Sequence, residues 1–288
     1  MNSMDSNFIL HAQSDQFYWE GKGQLSLKTF INGQAQYRTN KGFFAVEENR
    51  FLLLNEGDYT ISIESDQPVE SFCLFFGSGF AEEVKRSLTS EDVSLLDEPF
   101  YQESRQFEIF EKTYRMDPYL HTMLDGIKKN FSHFKNDPLW LEEQLRQVMV
   151  KILHSQNHAY SEMSVLEIKK ASTREEIYRR LSIAQDYIFA NYQRAITLSE
   201  ISHIACLSPN HLLRNYKVLF GKTPHQQLTE RRIEKAKWLL EKTGKSMIEI
   251  AMEVGLETPV SFSRLFKQQT GKSPTDYRKM VILDKRKK

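Results

Sequence analysis

From Thr197 to Leu228 the chain reads TLSEISHIACLSPNHLLRNYKVLFGKTPHQQL, and from Ser246 to Arg278 it reads SMIEIAMEVGLETPVSFSRLFKQQTGKSPTDYR. The two strings are copies of one pattern. Thr197, Glu200, Ile201 and Leu207 recur 49 residues later as Ser246, Glu249, Ile250 and Leu256. Pro209, Arg214, Lys217, Gly221 and Pro224 recur 50 residues later as Pro259, Arg264, Lys267, Gly271 and Pro274, so one residue is inserted near Glu257. A repeat this detailed marks one folded unit used twice.

Each copy carries its own helix punctuation. Thr197 with Glu200, and Ser246 with Glu249, have the spacing of a capping box that opens a first helix. Ser208-Pro209 and Thr258-Pro259 set a capping residue and a first-turn proline at the start of a second helix. Gly221 and Gly271 end it. Between the helices lie Ala205-Cys206-Leu207 and Val254-Gly255-Leu256, the short turn of a helix-turn-helix. Where one copy has Gly255 the other has Cys206, and a left-handed backbone there would store about 1 kcal/mol of strain.

The second helix of each copy has two faces. Leu212, Tyr216 and Leu219, and in the other copy Phe262 and Phe266, are expected to point inward. Asn210, His211, Leu213 and Arg214, then Val260, Ser261, Ser263 and Arg264, are the expected base readers. A major groove admits a helix; there Arg pairs with guanine, Asn with adenine, and apolar groups touch the thymine methyl. His211 has a second option, capping or packing near the helix start. Lys217, Lys222, Lys267 and Lys272 are expected at phosphates, which position a protein without reading sequence.

Charge agrees with this division. The 288 residues carry a formal net charge of only +1. Yet residues 172–288 hold 22 Lys+Arg against 12 Asp+Glu, a net +10, and the rest of the chain is net −9. A basic half of this kind suits a polyanionic partner such as double-stranded DNA. No run of 18 apolar residues is present, so no membrane span is expected. The N-terminal MNSMDSNFILHAQ lacks a signal-peptide pattern, and Cys73 and Cys206 have no disulfide or metal spacing. A cytoplasmic location is the expectation.

Residues 8–78 read as short strands. Gln24–Phe30 and Tyr59–Ile63 alternate with the period of half-buried strands. Phe43–Val46, Phe51–Leu54 and Phe72–Phe76 are compact apolar runs. Asn32-Gly33, Asn55–Asp58 and Asp66-Gln67-Pro68 supply turns between strands. This spacing predicts a small barrel or sandwich. Helices are expected over residues 80–157, with Asp117-Pro118 and Asp137-Pro138 as starts. Leu141, Leu145, Val148, Ile152 and Leu153 form an apolar stripe that either packs on the barrel or pairs two chains. Residues 158–173 read as a linker. Thr173 with Glu176 has capping-box spacing for the next helix, so residues 174–288 form the second domain, with helix-turn-helix units at about 197–221 and 246–271.

The same half offers little sign of catalytic chemistry. It has no His-x-His pair, phosphate loop or nucleophile elbow. No catalytic residue, cofactor or metal site is expected, and the chain is read as not an enzyme. The aromatic residues of the strands could instead line a cavity for a small-molecule effector, with Trp19, Tyr37 and Phe44 as candidates and Arg38 as an anchor for an anionic effector. Two rivals are kept: a metal-dependent barrel enzyme fused to a DNA-binding tail, and a DNA-repair alkyl acceptor, which would need a reactive cysteine cluster.

The string Ile250-Ala251, Val254-Gly255-Leu256, Pro259–Lys267, Gly271–Pro274 and Tyr277-Arg278 resembles the AraC/XylS family of transcription regulators. The resemblance covers roughly the last 110 residues. It implies base contacts at Asn210, Leu213, Arg214, Val260, Ser261 and Arg264, a partner in RNA polymerase, and activation rather than repression. Leu213 and Val260 are apolar where some relatives carry polar readers. The first half looks like the cupin-type sensor barrel of that family, followed by dimerisation helices, over residues 1–157. The fold expected is therefore α+β and multidomain: a cupin-like β-barrel with helices, then an all-α domain with two helix-turn-helix units, in a homodimer.

Overall fold

A computed structural model describes residues 6–89 and 108–286. The chain divides into two compact units, Met1–Val165 and Leu166–Lys288.

The first unit is an antiparallel sheet bent into a nearly closed barrel. Its strands are β1 (Phe8–Gly23), β2 (Leu25–Ile31), β3 (Gln34–Thr39), β4 (Gly42–Glu47), β5 (Arg50–Leu54), β6 (Gly57–Phe76) and β7 (Lys112–Arg115). The long β6 is the spine. β1 runs along one edge of it, from Phe8 opposite Phe75 to Gly23 opposite Gly57. On the other edge β2 pairs with residues 70–76 of β6, and β3 pairs with residues 59–62.

This pairing changes the meaning of two expected turns. β2 and β3 follow one another in the same direction along β6, so Asn32-Gly33 is a bend between them rather than a reversal. Asp66-Gln67-Pro68 likewise lies inside β6, at the level where the β1–β6 register slips between Ser14 and Gln16. The three irregularities share one level, which is where a twisted sheet can turn a barrel corner. Asn32 takes φ 63° there. A Cβ on Gly33 would sit 2.5 Å from Val69 Cγ2, so the corner leaves no room for a side chain.

Alternation along the strands sorts two cores. Leu27, Phe51, Leu53, Phe72, Leu74 and Phe76 face outward, against α1 (Phe80–Thr89), α2 (Pro118–Phe134) and α3 (Pro138–Ser164). Phe30, Tyr37, Phe44, Leu52, Leu54, Tyr59, Ile61 and Cys73 face the barrel interior. β2 is therefore buried on both faces, not half-buried as its alternation predicted. The apolar stripe on α3 resolves too: Leu145, Val148 and Ile152 are buried against the barrel, with Leu141 and Leu153 packed beside them.

Three further expectations are corrected. The stretch 80–157, read as helices, also contains β7, an edge strand whose Tyr114 stacks on Phe51 of β5 at 5.3 Å; residues 90–107 of that stretch lie outside the described residues. Most of the expected linker 158–173 is helical: α3 continues to Ser164 and α4 (Ala171–Asn191) starts at Ala171. Polar Gln156 disguised this, because its amide is buried and bonded to Phe110 N at 2.6 Å and Tyr114 Oη at 3.0 Å, carrying the inward stripe on to Ala159 and Met163. Thr173 is accordingly inside α4, whose N-cap is Lys170 with no side-chain cap bond.

The second unit is all helix: after α4 come α5 (Leu198–Ile204), α6 (Pro209–Phe220), α7 (Pro224–Lys242), α8 (Met247–Glu253), α9 (Pro259–Thr270) and α10 (Pro274–Arg286). The pairs α5–α6 and α8–α9 are the two copies of the repeat. Both capping boxes form, at Thr197/Glu200 and Ser246/Glu249. Ile233, Ala236, Leu239 and Leu240 of α7 share a core with Ile250, Val254, Phe262 and Phe266.

Candidate nucleic-acid interface and barrel cavity

α6 and α9 begin and end by the same devices. Ser208 Oγ accepts from His211 N at 3.3 Å, and Thr258 Oγ1 accepts from Ser261 N at 3.1 Å. Gly221 and Gly271 close them with φ 70° and 76°, their amides donating to Lys217 O and Lys267 O. The turns before them also correspond. Leu207 N donates to Ser202 O at 2.9 Å and Leu256 N to Ala251 O at 2.8 Å.

With both ends pinned, the faces follow from helical spacing. Leu212 and Tyr216 of α6, and Phe262 and Phe266 of α9, are buried. Asn210, His211, Arg214 and Lys217 are exposed, as are Val260, Ser261, Arg264 and Lys267; Leu213 and Ser263 are half-buried. Ser261 already shares a hydroxyl hydrogen bond with Thr258. His211 supplies its backbone amide to the Ser208 cap and leaves its ring exposed.

Partners separate these residues from their neighbours. In the second unit Arg174, Arg179, Arg180, Arg194, Arg231, Arg232 and Arg278 each engage a carboxylate or a backbone carbonyl. Arg214 and Arg264 engage neither among the described residues. They are the matched arginines of the two copies. Of the expected phosphate lysines, Lys217 and Lys267 are likewise without an ionic partner among the described residues. Lys222 pairs with Glu230, and Lys272 Nζ lies 2.8 Å from Met280 Sδ.

Residues 201–280 match the family model described as a helix-turn-helix domain. Residues 201–280 are an AraC-type helix-turn-helix domain. The raffinose operon transcriptional regulatory protein RafR of Pediococcus pentosaceus is 32% identical over 102 residues, 35% of this chain and 37% of that protein. The chain thus spans little more than a third of RafR's length. The probable transcriptional regulator LumQ of Photobacterium leiognathi is 23% identical over 244 residues, covering 83% of this chain and 92% of that protein. Among solved structures, the C-terminal domain of AraT, a response regulator from Geobacillus stearothermophilus, is 34% identical with a TM-score of 0.34, over 35% of this chain and 84% of that one. The matched residues contain both α6 and α9.

Behind the AraC-type domain's presentation stands a small electrostatic network. Glu200, which caps α5, is held by Arg194 at 2.5 Å and by the Tyr187 hydroxyl at 2.5 Å. The Arg194 and Tyr187 hydrogen bonds bring its carboxyl down to about 2.

The barrel of the first unit holds a half-open cavity of about 600 Å³ between β1, β2, β3 and β6. Of the expected effector residues, Trp19 and Tyr37 line it. Phe44 is buried in the interior core without lining it, and Arg38 is exposed and does not line it. The buried cation in the cavity is Lys28, which sequence reading missed. It is 2% exposed, donates to Tyr59 Oη at 3.2 Å, and sits 3.5 Å over the Phe75 ring. Burial pushes its ammonium down to about 8. The signal was Phe30: it shares alternation parity with Lys28, so the Lys face of β2 had to be an inward face. Among the described residues, no three His, Cys, Asp or Glu side chains gather where a metal ion could be held, and no helix is long and apolar enough to cross a membrane.

Proposed function

We propose that this chain is a sequence-specific, DNA-binding transcription regulator controlled by a small molecule bound in its N-terminal barrel. The observation that carries the DNA reading is the matched pair Arg214 and Arg264, exposed on α6 and α9 and without a carboxylate or carbonyl partner among the described residues. An exposed arginine held by a neighbour is a structural strut; one left free in the same place of both copies is available to a base edge. Two such helices on one domain suit successive major-groove segments about 34 Å apart, one turn of DNA. Their differing neighbours, Asn210, His211 and Leu213 against Val260, Ser261 and Ser263, suit an asymmetric site.

The effector reading rests on the barrel cavity, whose volume falls within the range of roughly 300–1,000 Å³ common for small-ligand sites. Activation, contact with RNA polymerase and pairing into homodimers are proposed on the family resemblance. A dimer through α2 and α3 would use residues other than the α3 stripe, which the barrel already covers. Genome-wide mapping of the bound sites, followed by mobility shifts with the site found, tests the DNA reading. A discrete recurring sequence, bound at least tenfold more weakly by an Arg214→Ala/Arg264→Ala double variant, is expected. Uniform binding to any duplex would overturn it. Metal analysis of the purified protein decides against the rival barrel enzyme if no stoichiometric metal is found.

A further inference from the structure

A buried lysine is expensive unless something repays its desolvation. Proteins that bury an ammonium usually pair it with a carboxylate. Lys28 has no carboxylate within salt-bridge distance among the described residues; its neighbours are the Tyr59 hydroxyl, the Phe75 ring and Cys73. The other lysine of the cavity, Lys22, already has its counter-ion in Glu56 at 2.6 Å.

The rest of the lining sharpens the contrast. Among the described residues no Asp, Glu or His lines the cavity, and Phe17, Trp19, Phe30, Ile61, Ile63 and Phe75 make most of its wall apolar. Beside the two lysines, the polar lining consists of Tyr37, Tyr59, Gln24 and three serines. Tyr59 accepts the hydrogen bond of the Lys28 ammonium and so keeps its own hydroxyl proton to give elsewhere. The Tyr37 ring lies 5.6 Å from the Tyr59 ring, and the Tyr37 hydroxyl makes no hydrogen bond among the described residues. Burial raises the pKa of both phenols, so they stay protonated donors. One ammonium and two phenol donors thus sit in an apolar chamber with no acceptor charge between them.

We propose that the barrel binds an apolar monocarboxylate, its carboxylate held by the Lys28 ammonium and the Tyr37 and Tyr59 hydroxyls and its hydrocarbon body along the aromatic wall. This inference rests on the effector reading above and names the chemistry of that site. Charge-assisted hydrogen bonds of this kind are about twice as strong as neutral ones. A neutral ligand would leave the ammonium unpaired, and a cationic one would be repelled.

The test is titration of the full-length protein with 4-phenylbutyrate and decanoate, and with the amide of each, followed by calorimetry and by the fluorescence of Trp19 in the cavity wall. Both pairs are used because an aromatic and an aliphatic body would reach the same anchor. Saturable one-to-one binding of at least one acid, tenfold or more tighter than its amide and reduced to the level of the amide by Lys28→Met, is expected. Amides that bind as tightly as the acids would overturn the anion site while leaving an effector cavity in place. Absence of binding by both acids would overturn it as well. The effector reading fails separately if Ala12→Trp, which sets a bulky ring in the cavity lining, abolishes binding of both acids yet leaves regulation of the mapped promoters unchanged.

Discussion

Cys206 and Gly255 occupy the same place in the two helix-turn-helix turns, and both hold a left-handed backbone, φ 51° and φ 75°. Only one of them is obliged to be glycine. A Cβ on Gly255 would come within 2.6 Å of Gln193 O and 2.7 Å of Tyr192 O. At Cys206 the Cβ is accommodated, and Arg180 donates to its carbonyl at 2.7 Å. Gly255→Ala should therefore cost more than about 2 kcal/mol, from backbone strain plus overlap with main-chain atoms that cannot swing away. Cys206→Gly should lie within about 1 kcal/mol of neutral, since relief of strain offsets the greater freedom of glycine in the unfolded chain. Urea unfolding of the two variants checks this, and equal losses would show that the turns are alike in packing.

Arg264→Ala should cost ~1–3 kcal/mol of specific binding and relax the preference at one base position, and Arg214→Ala should relax a different one. Selection of bound sequences from a random pool reads this directly. Unchanged base preference in both would remove the arginines as readers.

Lys267→Ala should weaken binding to every sequence alike and lower the salt slope by about 1. Lys222→Ala should change that slope less, because its ammonium already pairs with Glu230. Binding measured over a salt series separates the two, and matching slopes would count against the assignment.

Lys28→Met should make the protein more stable. Burial takes the ammonium from 10.5 to about 8, a penalty on the order of 3 kcal/mol that the variant would escape. Below pH 8 both folded and unfolded chains hold the proton, so the folded state carries the full penalty. Above it the folded chain releases the proton first, and stability should rise from about pH 8 to 9. Beyond that range Cys73, Tyr37 and Tyr59, whose pKa values burial raises, oppose the rise. Lys22, paired with Glu56, is the remaining charged group of the lining. Thermal unfolding against pH should show the rise in the parent and lose it in Lys28→Met. A destabilised variant would mean that the lysine is structural.

Glu200 works with the opposite sign. Its carboxyl, lowered from 4.5 to about 2 first by the Arg194 hydrogen bond and then by Tyr187, contributes stability above pH 4.5 that is lost as pH falls toward 2. The side chain is 32% exposed, so solvent screening keeps the contribution at ~1 kcal/mol or less. Glu200→Gln should flatten the acid limb of the unfolding midpoint by that amount and leave the midpoint above pH 6 lower than the parent's.

The second unit was legible because its signals are short-ranged. Caps, first-turn prolines and closing glycines act within four residues, and the inward spacing of Leu212 and Tyr216 or Phe262 and Phe266 needs only one helix to be read. The barrel was legible in class but not in pairing. Asn32-Gly33 and Asp66-Gln67-Pro68 have turn composition, yet whether such a dipeptide reverses a strand or bends it depends on which edge of β6 the next strand joins. The linker was misplaced for a related reason: Gln156 is polar in sequence and becomes an inward residue only because Phe110 and Tyr114 satisfy its amide.

The sequence by itself determined the duplicated helix-turn-helix, the register of its caps and the residues its outward faces display, since those follow from helical periodicity and local hydrogen bonding. Only the tertiary structure decided which cations are spent. Among the described residues it tied seven arginines of the second unit to acids and carbonyls and left Arg214 and Arg264 without such a partner. It also curled the sheet into a barrel over the other face of β2, which turned Lys28, on a strand that alternation read as half-exposed, into a buried charge in an apolar cavity. Partnering and burial are properties of chain segments far apart in sequence, and no local pattern encodes them.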